Sequence, residues 1–140
     1  MKIFFFYATR SRFLTLPTFE VAFRPIMECP EKTERAAIYN KYFCTYLGEY
    51  DRSENCDNTV KQYVDIQKNP HFLPMDWSTD VWIFRIKSLE HVEIGTFNSD
   101  QVEDFEVFTL EEVIVTIKAW SEFLKMPCLE TSRMEITLPN

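Results

Sequence analysis

The apolar residues of this chain recur at two periods, and the order of those periods limits the fold more than any other feature. Lys2–Thr9 is rich in Phe and flanked by polar residues, which predicts an interior strand buried on both faces. Residues 13–16 predict a short strand ending at Pro17. Phe19, Val21 and Phe23 then alternate with Glu20, Ala22 and Arg24, the period of a half-exposed strand running up to Pro25. Pro30 in a first helical turn, followed by Glu31 and Glu34, predicts a helix over 30–47. Its apolar stripe is Tyr39, Phe43, Tyr46 and Leu47, and Gly48 stands where a C-terminal cap is wanted.

Residues 49–58 read as a polar loop. Residues 59–68 fit both periods and are read as a helix, capped by Asn58 or Thr59 and stopped before Pro70. Residues 69–79 contain two prolines and read as a loop. The β-branched and aromatic run 81–87 predicts a strand, and Val92, Ile94 and Thr96 predict its antiparallel partner across a turn at 88–90. Residues 105–108 predict a third strand. Thr109 and Glu112 form a capping box ahead of the stripe Val113, Ile114, Ile117, Trp120, Phe123 and Leu124, in a helix that ends before Pro127. Met134, Ile136 and Leu138 alternate with Glu135 and Thr137 in a last strand. Regular βαβ alternation is absent, with no repeat or linker. The expectation is one α+β domain over residues 1–140, a largely antiparallel sheet packed by two to three helices.

Composition decides which chemistry such a domain can hold. Hydrophobic residues make up 46% of the chain and charged residues 26%, too apolar a balance for disorder. No apolar run approaches the ~20 residues of a membrane span. The opening apolar stretch is short and is followed by Arg10 and Arg12, so it reads as a buried strand of a cytosolic protein rather than a signal peptide. Cys29, Cys44, Cys56 and Cys128 form no CxxC pair and are expected to be reduced thiols. With only two glycines, Gly48 and Gly95, phosphate-cradling and dinucleotide loops are excluded.

Metal and acid–base chemistry find little support. Asp51, Ser53, Asn55, Asp57 and Thr59 alternate as in a calcium loop, but Cys56 stands where the sharp turn needs Gly and Gln62 where the final bidentate Glu belongs. His71 and His91 lack partners at zinc spacing. Either could serve as a general base, yet no nucleophile sits on a recognisable elbow. Arg10, Arg12 and Arg24 near Phe13 and Phe23 read as solvated strand ends rather than a nucleic-acid patch. No catalytic residue, metal ligand or cofactor is assigned.

The charge is uneven. Residues 1–48 carry net +3 and the rest net −10, giving −7. Between Asp100 and Glu112 there are six acids and no base. Glu111 and Glu112 are accounted for by the helix dipole. Asp100, Glu103, Asp104 and Glu106 are read either as a solvated edge or as a surface for a basic partner, with Phe105 and Val107 pointing inward and Asp104 and Glu106 outward. Glu49, Asp51, Glu54 and Asp57 form a second cluster, and Trp77 is read either as an aromatic anchor or as a lid on the core.

A small, acidic, glycine-poor domain without a catalytic constellation resembles the toxin-neutralising immunity proteins of bacteria. The resemblance implies a stoichiometric inhibitor that binds a basic toxin domain, commonly a nuclease, and occludes its cleft. Rival readings are a phage-borne anti-defence inhibitor or nucleic-acid mimic, a non-catalytic subunit of a complex, and a small enzyme using His71 or His91.

Overall fold

The computed structural model describes residues 1–9, 23–129 and 131–138. In chain order the described elements are β1 (Lys2–Thr9), β2 (Phe23–Glu28), α1, α2 (Ser53–Lys68), β3 (Met75–Asp76), β4 (Trp82–Ser88), β5 (His91–Phe97), β6 (Glu103–Phe108), α3 (Leu110–Leu124) and β7 (Arg133–Thr137). Helix α1 has three windings: α over Glu34–Ile38, π over Tyr39–Cys44 and α over Thr45–Leu47. Together they make an α+β fold of three helices and two antiparallel sheets, ordered β2-β1-β7 and β3-β4-β5-β6. The strands expected over 13–16 and before Phe23 lie outside the described residues.

Strand β1 is central in its sheet, but it buries one face rather than two. Ile3, Phe5 and Tyr7 are buried, while Phe4 and Phe6 on the other side are half-buried. The buried face meets α3: Phe5 sits edge-on to Trp120 at 5.3 Å between centroids, and Tyr7 stacks on Phe123 at 4.7 Å. The second sheet turns Phe84, Ile86, Val92, Ile94 and Phe108 to the same continuous core, where Tyr39 and Phe43 of α1 pack on Phe108. Burying such rings carries much of the core energy, at about 25 cal/mol per Å² of apolar surface.

Several boundaries differ from expectation. Pro25 does not end the strand; it pairs with Tyr7 inside β2. Because β2 is an edge strand, an N–H can be missing on its open side without breaking the ladder. Helix α1 starts after Thr33, whose Oγ1 accepts from the Ala36 N–H at 3.1 Å, not at Pro30. Its stripe Tyr39, Phe43, Tyr46 and Leu47 is buried as the period predicts. Asn40, in the π winding, accepts from the Cys29 N–H and donates to the Cys29 carbonyl, both at 2.8 Å, and so ties α1 to the end of β2. Gly48 is the C-cap of α1 as expected, but with right-handed φ −60° rather than the left-handed conformation.

The predicted loop 49–58 is half helix, since α2 begins at Ser53. Oxygens at alternate positions on a helix point in different directions, so the calcium-like spacing does not converge. The predicted loop 69–79 contains a 3-10 turn at Pro70–Phe72 and the short strand β3. The β4–β5 hairpin, β6 and the Thr109–Glu112 capping box match expectation, the last with both reciprocal hydrogen bonds formed. All four cysteines are free thiols, and only Cys128 is exposed.

Candidate functional site

The β6 acids do not form one surface. Cross-strand neighbours share a face, and Phe108 opposes Val92 in the core, so Glu106 opposite Ile94 and Asp104 opposite Thr96 lie on the helix-facing side. Glu103, Phe105 and Val107 take the outer side, the reverse of the expected parity. Asp104 is occupied: Tyr42 donates to it at 2.6 Å and Lys41 pairs with it at 3.2 Å. Hydrogen bonds from Tyr42 and then Lys41 hold its carboxyl below the usual aspartate range. Glu103 is bound by Arg85. Asp100 remains exposed in the β5–β6 turn and Glu106 is half-buried.

The outer side of the second sheet carries an internally paired ion network. Its hub is Glu93, only 3% exposed, which meets Arg85 at 3.0 Å, Lys87 at 3.3 Å and His91 at 3.0 Å. Arg85 also reaches Asp76 at 3.6 Å. Burial alone would push the Glu93 carboxyl up, but hydrogen bonds from His91, Arg85 and Lys87 outweigh it and hold the group below the usual glutamate range. His91 therefore props a structural carboxylate. His71 lies apart, exposed against Phe72 in the 3-10 turn.

The second acidic cluster is different. Asp57 is used inside the fold, accepting from the Ser121 hydroxyl at 2.6 Å and pairing with Lys125 at 3.4 Å. Glu49, Asp51 and Glu54 are exposed and make no ion pair among the described residues. They sit in the α1–α2 connection and the first turn of α2. That connection is fixed from below, where the buried Trp120 indole donates to the Tyr50 carbonyl at 2.7 Å.

Beside it opens a pocket of about 300 Å³. Its walls are Tyr46 at the end of α1, Glu49 and Tyr50 in the connection, Tyr63 of α2, Trp77 in the β3–β4 hairpin, and Trp82 and Phe84 of β4. Tyr46 and Tyr63 both stack on Phe84, at 4.9 and 5.5 Å with planes within 12° and 10°. Trp77 tilts over Tyr63 and Phe84 at 6.0 and 6.1 Å. Its backbone N–H is held by the Phe84 carbonyl at 2.9 Å, yet its side chain leaves the residue 38% exposed. The Tyr46 and Tyr50 hydroxyls meet at 2.9 Å. Burial, then the neighbouring Tyr63 and Tyr50 hydroxyls, raise the Tyr46 pKa well above the usual tyrosine value, so this phenol stays neutral. Of the residues expected to bind a partner, Glu49 and Trp77 thus share one pocket, while Asp51 and Glu54 do not line it.

A larger concavity of about 690 Å³ lies where α1 and α3 meet the end of β7. Of its charged groups, Arg35 and Glu112 are already paired with each other at 3.2 Å, Tyr39 also donates to Glu112, and Glu111 accepts from the Gln67 amide at 2.7 Å. Among the described residues no group of three or more His, Cys, Asp or Glu is placed to hold a metal ion. No described helix is long and apolar enough to cross a membrane. Comparison with known proteins finds no match, whether to a family model, a curated protein or a solved structure.

Sequence reasoning missed the tyrosines and Trp82 as site residues. They come from four separate segments, and Tyr46 and Tyr63 read simply as helix stripe. The available signal was that each stripe has a tyrosine, Tyr46 and Tyr63, at a position where an ordinary core would use Leu or Phe. A buried hydroxyl needs a partner, which favours a wet pocket nearby.

Proposed function

We propose that this protein is an inhibitor of the immunity type, which binds a basic toxin domain, a nuclease in the favoured case, and occludes its active cleft without catalysing a reaction. The observation that supports this reading is spare negative charge beside exposed aromatic surface: Glu49 lines the same pocket as Trp77, and it, Asp51 and Glu54 make no ion pair among the described residues. A nuclease must attract phosphates, so its cleft is basic. An acidic partner is steered to such a cleft, and charge complementarity sets on-rate and specificity. A net charge of −7 adds a long-range field of the right sign. The carboxylates engage Lys and Arg, and the aromatic anchor contributes buried area. In this reading the partner is a protein, with no nucleic acid, membrane or cofactor, and the compartment is the cytoplasm of a bacterium in competition with its neighbours.

The test is to capture the partner from the native host, identify it, and produce it with and without this chain. The captured protein is expected to carry a basic domain that arrests growth alone. Co-production of the wild-type chain restores growth, and the variant Glu49→Lys, Asp51→Lys, Glu54→Lys does not. A harmless, permanent partner would make this a structural subunit instead, and a host-defence component would make it an anti-defence inhibitor. Full protection by the triple variant would reject this surface.

A further inference from the structure

The pocket that Glu49 lines has a composition that selects a particular kind of group. Its rings come from Tyr46, Tyr50, Tyr63, Trp77, Trp82 and Phe84, and among the described residues lining it there is no base. Neutral aromatic faces present the negative side of their quadrupole, and that attracts cations far more than apolar or anionic groups. The charged lining group is the exposed carboxylate of Glu49. A volume of about 300 Å³ stands at the bottom of the range for ligand sites, enough for one side chain and too little for a large cofactor.

We propose that this pocket receives one arginine side chain of the protein partner, its guanidinium laid on the exposed face of Trp77 and countered by Glu49. Arginine fits better than lysine. Its plane lies flat on a ring, it is less strongly hydrated, and its forked N–H groups match a carboxylate edge together with hydroxyl acceptors such as Tyr50. The inference rests on the reading of a basic protein partner and specifies its central contact. The open acids Asp51 and Glu54 steer, and the pocket anchors.

The experiment titrates the full chain with Nα-acetyl-arginine amide at constant ionic strength, following the indole N–H resonances of Trp77 and Trp82. Nα-acetyl-citrulline amide, the same shape without charge, and Nα-acetyl-lysine amide are run in parallel. The arginine probe is expected to give saturable shifts with a dissociation constant on the order of millimolar. Lysine binds more weakly and citrulline leaves the resonances unmoved. Glu49→Gln weakens arginine about two- to fivefold, the worth of one exposed ion pair. Trp77→Leu abolishes saturation while keeping the thermal unfolding transition. Equal shifts from citrulline, or arginine binding indifferent to both substitutions, would overturn the proposal. A chain that ignores arginine yet still neutralises a basic toxin sinks this inference alone. One that takes arginine but has no basic partner sinks the functional reading alone.

Discussion

At the scale of single residues, two positions show how closely the second sheet is specified. A Cβ placed on Gly95 would lie 2.0 Å from the Asp104 carbonyl oxygen and 2.6 Å from the Phe105 Cα. Both are backbone atoms of β6, so no side-chain rotation relieves the clash, and the glycine is there for close approach rather than for a turn. Gly95→Ala is therefore expected to lower unfolding free energy by about 1–3 kcal/mol in urea titration, as overpacking does. Glu93 makes the complementary case with charge. Its folded pKa is depressed, so its contribution is fully present above the ordinary glutamate value of 4.5 and is lost as pH falls through the folded value. Glu112 follows the same direction: burial pushes it up, but the Thr109 N–H, the Tyr39 hydroxyl and Arg35 outweigh that. Stability should thus fall on acidification below about pH 4.5. In Glu93→Gln that fall should be shallower, because one of the groups that must be protonated is gone. Equal slopes for the two proteins would show that the network is not coupled to folding.

At the scale of elements, the strongest local signals were the ones a short window can contain. The box of Thr109 and Glu112 is complete in the sequence and complete in the structure. Thr109→Ala removes the acceptor for the Glu112 N–H and should cost about 0.5–2 kcal/mol by chemical denaturation, with the fold retained. The stripes of α1 and α3 and the β4–β5 hairpin were legible for the same reason, since the apolar spacing within each lies in one short window, even though α1 winds as π over Tyr39–Cys44 and the hairpin register shifts between Ile86 and Ser88. The start of α2 was not. Arg52 offers no side-chain cap, and the first turn is polar. Only Cys56, counted as apolar at four residues before Val60 and seven before Tyr63, extends the stripe backwards. Strand β2 was misread because Pro25 is a stop signal in a central strand but not at an edge. The parity of β6 was ambiguous in principle: Phe105, Val107 and Phe108 are all apolar, so the run offers a buried face at either register, and tertiary packing of Phe108 on Tyr39 and Phe43 decides it.

At the scale of the whole molecule, negative charge is sorted into what the fold consumes and what it leaves free. Asp57, Glu93, Glu103, Asp104 and Glu112 are bound by internal cations or hydroxyls. Glu49, Asp51 and Glu54 are exposed and make no ion pair among the described residues, and Glu49 lines the aromatic pocket. A sequence shows where acids are dense but not which of them long-range contacts will neutralise. Hence the denser run on β6 looked like the better surface, and the sparser cluster near α2 is the freer one. The pocket itself needed segments from Tyr46 to Phe84 to be brought together by the second sheet, which no local pattern announces.

The most direct measurement of the central claim is the association rate constant with the captured basic partner, taken across ionic strength. The triple variant Glu49→Lys, Asp51→Lys, Glu54→Lys should associate at least about tenfold more slowly than wild type at low salt, with the difference shrinking as salt rises. Wild-type and variant rates that coincide at every ionic strength would contradict the claim that this face steers and seats a positively charged protein.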